Sequence, residues 1–106
     1  MPDTEKLDEV LAQFSSHPNV TKGKFFGPPC LKVDGKAFLV LWRGDMAFKL
    51  AGEAHSEALQ LQGAQLWDKR GKGHPFKEWV LIPAAHSPTW GWFARSAYEY
   101  VVGLSK

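Results

Sequence analysis

Asp34-Gly35 stands between two short apolar runs, Cys30-Leu31-Lys32-Val33 before it and Lys36–Trp42 after it. A two-residue hairpin turn of type I′ needs positive φ at both central residues, and Asp-Gly is one of the few pairs that adopt it readily. The chain is thereby committed to two antiparallel strands whose register the turn sets. Arg43-Gly44-Asp45 makes a second tight turn into Met46–Leu50, where Met46, Phe48 and Leu50 share one face and Ala47 and Lys49 the other. A lead-in around Lys22–Phe26 precedes them, so the reading is a three-stranded meander with a short first segment. Between the lead-in and Cys30 lies Gly27-Pro28-Pro29, whose prolines withhold backbone donors and place an edge, bend or bulge there. The structural reading is a bend that carries one long first strand across a curved sheet; the functional reading is a ligand rim.

Helices flank this meander. Leu7, Val10, Leu11 and Phe14 follow the i, i+3, i+4, i+7 spacing of an amphipathic helix, capped by Asp3 or Thr4 and stopped by Ser15-Ser16-His17-Pro18. Gly52–Gln62 reads as a second, short helix ending before Gly63 as a left-handed cap. Ala64–Trp67 and Lys77–Ile82 read as strands on either side of a basic loop, Asp68–Pro75. Ser87-Pro88 opens a third helix, with Trp90, Phe93, Ala94, Ala97 and Val101 as its apolar stripe up to Gly103.

The order helix, three strands, helix, two strands, helix lacks a run of βαβ units, so the expected class is a two-layer α+β domain with a mainly antiparallel sheet. At 106 residues, positions 1–106 are read as a single domain. Phe38–Trp42 is apolar on both faces, so helices are expected over one face and something else, a partner chain included, over part of the other. Trp42, Trp67 and Trp79 are core candidates. The longest apolar run, Ala37–Trp42, is six residues against the roughly 20 that cross a bilayer. No basic flank leads into an apolar stretch near Met1, and Cys30 is the only cysteine, so a cytoplasmic location without a membrane partner is expected.

Lys24-Phe25-Phe26-Gly27-Pro28-Pro29-Cys30-Leu31-Lys32-Val33-Asp34-Gly35-Lys36-Ala37-Phe38, then Phe48-Lys49-Leu50, then Gly73-His74-Pro75-Phe76-Lys77-Glu78-Trp79-Val80-Leu81-Ile82-Pro83, resembles the amino-terminal domain of TfoX/Sxy competence regulators and the related YjbR-like proteins. The resemblance runs from about Leu7 to Val102. Phe25 and Phe76 stand where that family usually has Met, which keeps both positions hydrophobic. The resemblance implies a secretion-chaperone-like α+β domain of a bacterial regulator and assigns no catalytic residue.

Catalytic patterns are missing from the sequence: there is no Gly-x-Ser-x-Gly elbow, no phosphate-binding Gly-x-x-x-x-Gly-Lys and no His-Glu-x-x-His. His17, His55, His74 and His86 are 38, 19 and 12 residues apart with no second Cys, so neither a metal site nor a cofactor is expected. Cys30 is either a thiolate activated by Lys32 or Lys24, or a small buried hydrophobe. Glu78 and Asp68 are either carboxylates paired across neighbouring strands or solvated partners of Lys77, Lys69 and Arg70.

Binding is the expected business of the chain, of a macromolecule first, with a small ligand in an aromatic-lined pocket between the third helix and the sheet as an alternative. Residues 1–20 carry −3, 21–36 carry +3, 37–50 carry +1, 51–62 carry −2, 63–83 carry +2 and 84–106 carry +1, within a net charge of +2. Lys22, Lys24, Lys32 and Lys36 on the first hairpin and Lys69, Arg70, Lys72 and Lys77 on the second are the candidates for an electrostatic, sequence-tolerant nucleic-acid surface. Trp90 and Trp92 are the candidates for contact with a protein partner or a second copy. Two residues apart on a helix they point about 200° apart, so one of them faces outward.

Overall fold

The computed structural model describes residues 3–25, 27–68 and 76–104. Along the chain run α1 (Asp3–Ala12), β1 (Val20–Lys24), β2 (Pro29–Val33), β3 (Lys36–Trp42), β4 (Asp45–Lys49), α2 (Gly52–Gln60), β5 (Gln65–Trp67), β6 (Phe76–Ile82), a 3-10 segment (Ala84–Thr89) and α3 (Trp90–Leu104). The strands form one sheet in the order β1-β2-β3-β4-β6-β5, and every neighbouring pair is antiparallel. This is the α+β, mainly antiparallel architecture that the hydrophobic periodicity implies.

Both expected turns form, and the second, like the first, has a two-residue loop, since β4 already begins at Asp45. Asp34 and Gly35 have φ of 51° and 82°, and Arg43 and Gly44 have φ of 51° and 86°, the left-handed pairs of type I′ hairpins. The lead-in segment is a full strand, so the meander has four strands rather than three. Val20–Lys24 pairs antiparallel with Pro29–Val33 from Val20↔Val33 to Lys24↔Pro29, which makes Gly27-Pro28-Pro29 part of a hairpin loop and not a bend within one long strand. The Phe25 amide closes that loop by donating to the Pro28 carbonyl at 2.8 Å. The prolines are tolerated because β1 lies at the sheet edge and Pro29 is the first residue of its strand.

Two cores sit on opposite faces of the sheet. On the helix face, Leu7, Val10 and Phe14 from the α1 region and Trp90, Phe93, Ala94, Ala97 and Val101 from α3 bury against Leu31, Leu39, Leu41, Met46, Phe48, Val80 and Ile82. The pairing of β2 with β3 skips Phe38, and this bulge turns both Phe38 and Leu39 to the helix face. The other face buries Cys30, Val40, Ala47, Trp67 and Trp79, with Phe25, Ala37, Trp42 and Leu81 around them.

Within the chain, aromatic side chains pack over residues of that second face. β1 and β5 occupy opposite edges, which a flat six-stranded sheet would hold roughly 24 Å apart at the usual strand spacing. Yet the rings of Phe25, just past β1, and Trp67, on β5, are 5.8 Å apart. The sheet therefore coils until its edges meet through aromatic side chains, continuing the right-handed twist inherent in its strands.

The third helix begins later than Ser87-Pro88 predicts. Ala84–Thr89 winds as a 3-10 segment, the Trp90 amide donates to the Ser87 carbonyl, and the α-helix proper runs from Trp90. The His86 Nε2 donates to the Gln62 carbonyl at 2.8 Å and ties this segment to the end of α2.

Candidate functional site

The two α3 tryptophans divide as their spacing requires. Trp90 is 2% exposed in the helix-face core, with the Lys6 ammonium 5.7 Å from its ring centroid, and so is withdrawn from any contact role. Trp92 is 55% exposed and meets the buried Phe93 ring edge-on at 4.8 Å. It forms one wall of a groove of about 420 Å³ whose other lining residues are Glu57, Leu61, Pro88, Thr89 and Phe93.

Local structure builds this groove from α2 and the start of α3. Glu57 lies on α2, and Leu61 is the extended residue that closes the helix, its amide donating to the Ala58 carbonyl. The His55 Nε2 donates to the Lys77 carbonyl at 2.8 Å and seats α2 on β6. His86 fixes the 3-10 segment to Gln62, and the Thr89 hydroxyl donates to the His86 carbonyl at 2.7 Å, which sets Pro88 and Thr89 opposite. Glu57 has no ion-pair partner among the described residues. An exposed indole, apolar walls and an unpaired carboxylate thus meet at one place.

The basic candidates are less united. Lys22 is taken by Asp8 of α1 at 2.7 Å, an exposed pair of modest strength. Lys24 and Lys32 line a hollow of about 340 Å³ with Phe25, Gly35 and Ala37. Lys32 lies over Gly23, where an added Cβ would sit 3.0 Å from its Cε. Lys36 opens β3 at the following turn, and Lys77 is on β6, three strands from β2. Lys69, Arg70 and Lys72 lie outside the described residues.

Cys30 is fully buried on the aromatic face, with Val40 of β3 beside it across the sheet. Burial pushes its thiol pKa up, against a smaller opposing effect of the Lys32 charge, so the proton is held where a nucleophile would need to lose it. Glu78 accepts a short hydrogen bond from the Tyr100 hydroxyl, and the Lys49 ammonium lies 3.9 Å from its other oxygen. The hydrogen bond to Glu78 comes first among the causes that raise the Tyr100 pKa, followed by burial and the carboxylate charge. Glu78 is thus the partner of a tyrosine and a lysine. Among the described residues no three His, Cys, Asp or Glu side chains gather as a metal site, and no helix is long and apolar enough to cross a membrane.

Sequence reasoning singled out Trp92 but not its neighbours. Glu57, Leu61, Pro88 and Thr89 belong to segments that read as an ordinary solvated helix and a helix start. Comparison with protein-family models, with curated proteins and with solved structures finds no match to this chain.

Proposed function

We propose that the protein is a non-enzymatic accessory or regulatory domain of the TfoX amino-terminal type, acting in the bacterial cytoplasm by recognising a protein partner through the Trp92 groove. The observation that carries this reading is the indole of Trp92, more than half exposed beside a groove floored by Phe93 and Leu61. Leaving a large aromatic surface in water is unfavourable, and tryptophan is among the residues that most often anchor protein interfaces. The buried, proton-retaining Cys30 weighs against the rival in which a thiol does chemistry. The capture of Lys22 by Asp8 weakens the rival in which the first hairpin presents a continuous basic face to nucleic acid.

The test is capture of partners from bacterial extract by the immobilised protein, with wild type and Trp92→Ala compared by quantitative mass spectrometry. An anchor tryptophan is worth about 2 kcal/mol or more, so the variant should bind its partner roughly 30-fold more weakly while keeping its fold. Equal capture by both proteins overturns the proposal.

A further inference from the structure

Resting on that reading, we infer that the groove takes an arginine side chain of the partner, held between the Trp92 indole and the Glu57 carboxylate. The lining demands a side chain with two characters. Leu61, Pro88 and Phe93 offer apolar surface suited to an aliphatic stem, whereas Glu57 offers an acceptor with no cation of its own among the described residues. A buried stem ending in a cation satisfies both.

The surrounding charges favour a cation as well. Residues 51–62 carry −2 and no Lys or Arg, and Glu53 lies one turn before Glu57 on α2. Arg95, the nearest cation in sequence on α3, is engaged with Glu99 at 3.3 Å. The rings of His55 and His86 are committed to the Lys77 and Gln62 carbonyls. An acidic partner segment would meet repulsion, and a wholly apolar one would leave the carboxylate desolvated and unpaired.

Arginine fits better than lysine on geometry. Its planar guanidinium stacks on an indole face and presents a fork of N–H donors to a carboxylate, where a lysine offers a single, strongly hydrated point charge. Leu61 and Phe93 in the same open depression offer contact to an apolar neighbour of the arginine.

The experiment uses isotope-labelled full chain titrated with the probe peptide acetyl-Leu-Arg-Leu-amide, and with the same peptide carrying the neutral isostere citrulline in place of arginine. The readouts are the Trp92 indole N–H and the Leu61 amide in two-dimensional NMR spectra. The arginine peptide should shift both in a saturable way and bind roughly fivefold to tenfold more tightly than the citrulline peptide. Glu57→Gln, which preserves shape, should erase that difference, and added salt should narrow it in wild type. Equal binding of the two peptides, persistence of the difference in Glu57→Gln, shifts confined to another face, or no saturable shift each overturn the inference. Its failure is separable from failure of the docking proposal: partner capture that depends on Trp92 but not on Glu57 removes the arginine and keeps the groove. Capture indifferent to Trp92 removes both.

Discussion

Cys30 links a residue to the pH response of the whole chain. Its thiol is pushed up by burial, so the folded protein keeps a proton that the unfolded chain gives away above about pH 8.5. A raised pKa contributes stability that is complete below the unfolded value and is lost as pH climbs through the folded one. Tyr100, raised chiefly by its bond to Glu78, adds the same sign at higher pH. The urea midpoint should therefore fall between pH 8 and pH 10, and fall less in Cys30→Ala, which has no thiol to titrate. Parallel declines in the two proteins would remove Cys30 from this account. In the native state the thiol should also react with iodoacetamide only after unfolding, since no part of Cys30 reaches solvent.

Within the elements, two glycines with the same lack of crowding should respond oppositely to alanine. Gly35 has φ of +82° in the β2–β3 turn, and a Cβ there would meet nothing within 4 Å, so its cost is purely conformational. Gly35→Ala should destabilise by about 1–2 kcal/mol, the penalty of a left-handed alanine. Gly103 also has open space around a new Cβ, but it lies in the last turn of α3 without a positive φ. Gly103→Ala should stabilise by about 0.5–1 kcal/mol through helix propensity and a less flexible unfolded chain. Thermal denaturation of both variants checks the pair; a shift of the same sign in each would contradict the type I′ assignment or the helical one. Arg43 tolerates its own left-handed φ of 51° while its guanidinium stacks 4.6 Å from the centroid of the Trp42 ring.

For the molecule as a whole, coiling of the sheet turns two distant edges into one structural unit. Trp67 is its keystone, with ring centroids 5.8 Å from Phe25 and 5.6 Å from each of Trp42, Phe76 and Trp79. Replacing so large a buried side chain by alanine costs about 3–5 kcal/mol, a considerable part of the 5–15 kcal/mol typical of a domain. Trp67→Ala should therefore raise amide hydrogen exchange in β1 and β2 as well as in β5 and β6. Exchange that rises in β5 and β6 alone would mean that the edges hold independently.

The local code of the chain was legible wherever a neighbouring residue decides conformation. Asp34-Gly35 and Arg43-Gly44 specify hairpins through φ alone, and Leu7-Val10-Phe14 and Phe93-Ala97-Val101 specify buried helix faces through periodicity. The turns and helix faces in the structure follow accordingly. Antiparallel α+β architecture followed from those short connections. What depended on distant residues was not legible. The lead-in read as extended, but that Val20–Lys24 folds back to pair with β2 instead of continuing into it is a choice five residues of local sequence do not encode. The aromatic face closes on itself because six twisted strands bring Phe25 to Trp67, a meeting separated by 42 positions in the chain. Helical spacing dictated that Trp90 or Trp92 face outward, but only the packing of α3 on the sheet chose Trp92. The groove likewise exists only once α2, the 3-10 segment and α3 are assembled, because the direction of a side chain is set locally while its neighbours are set by the fold.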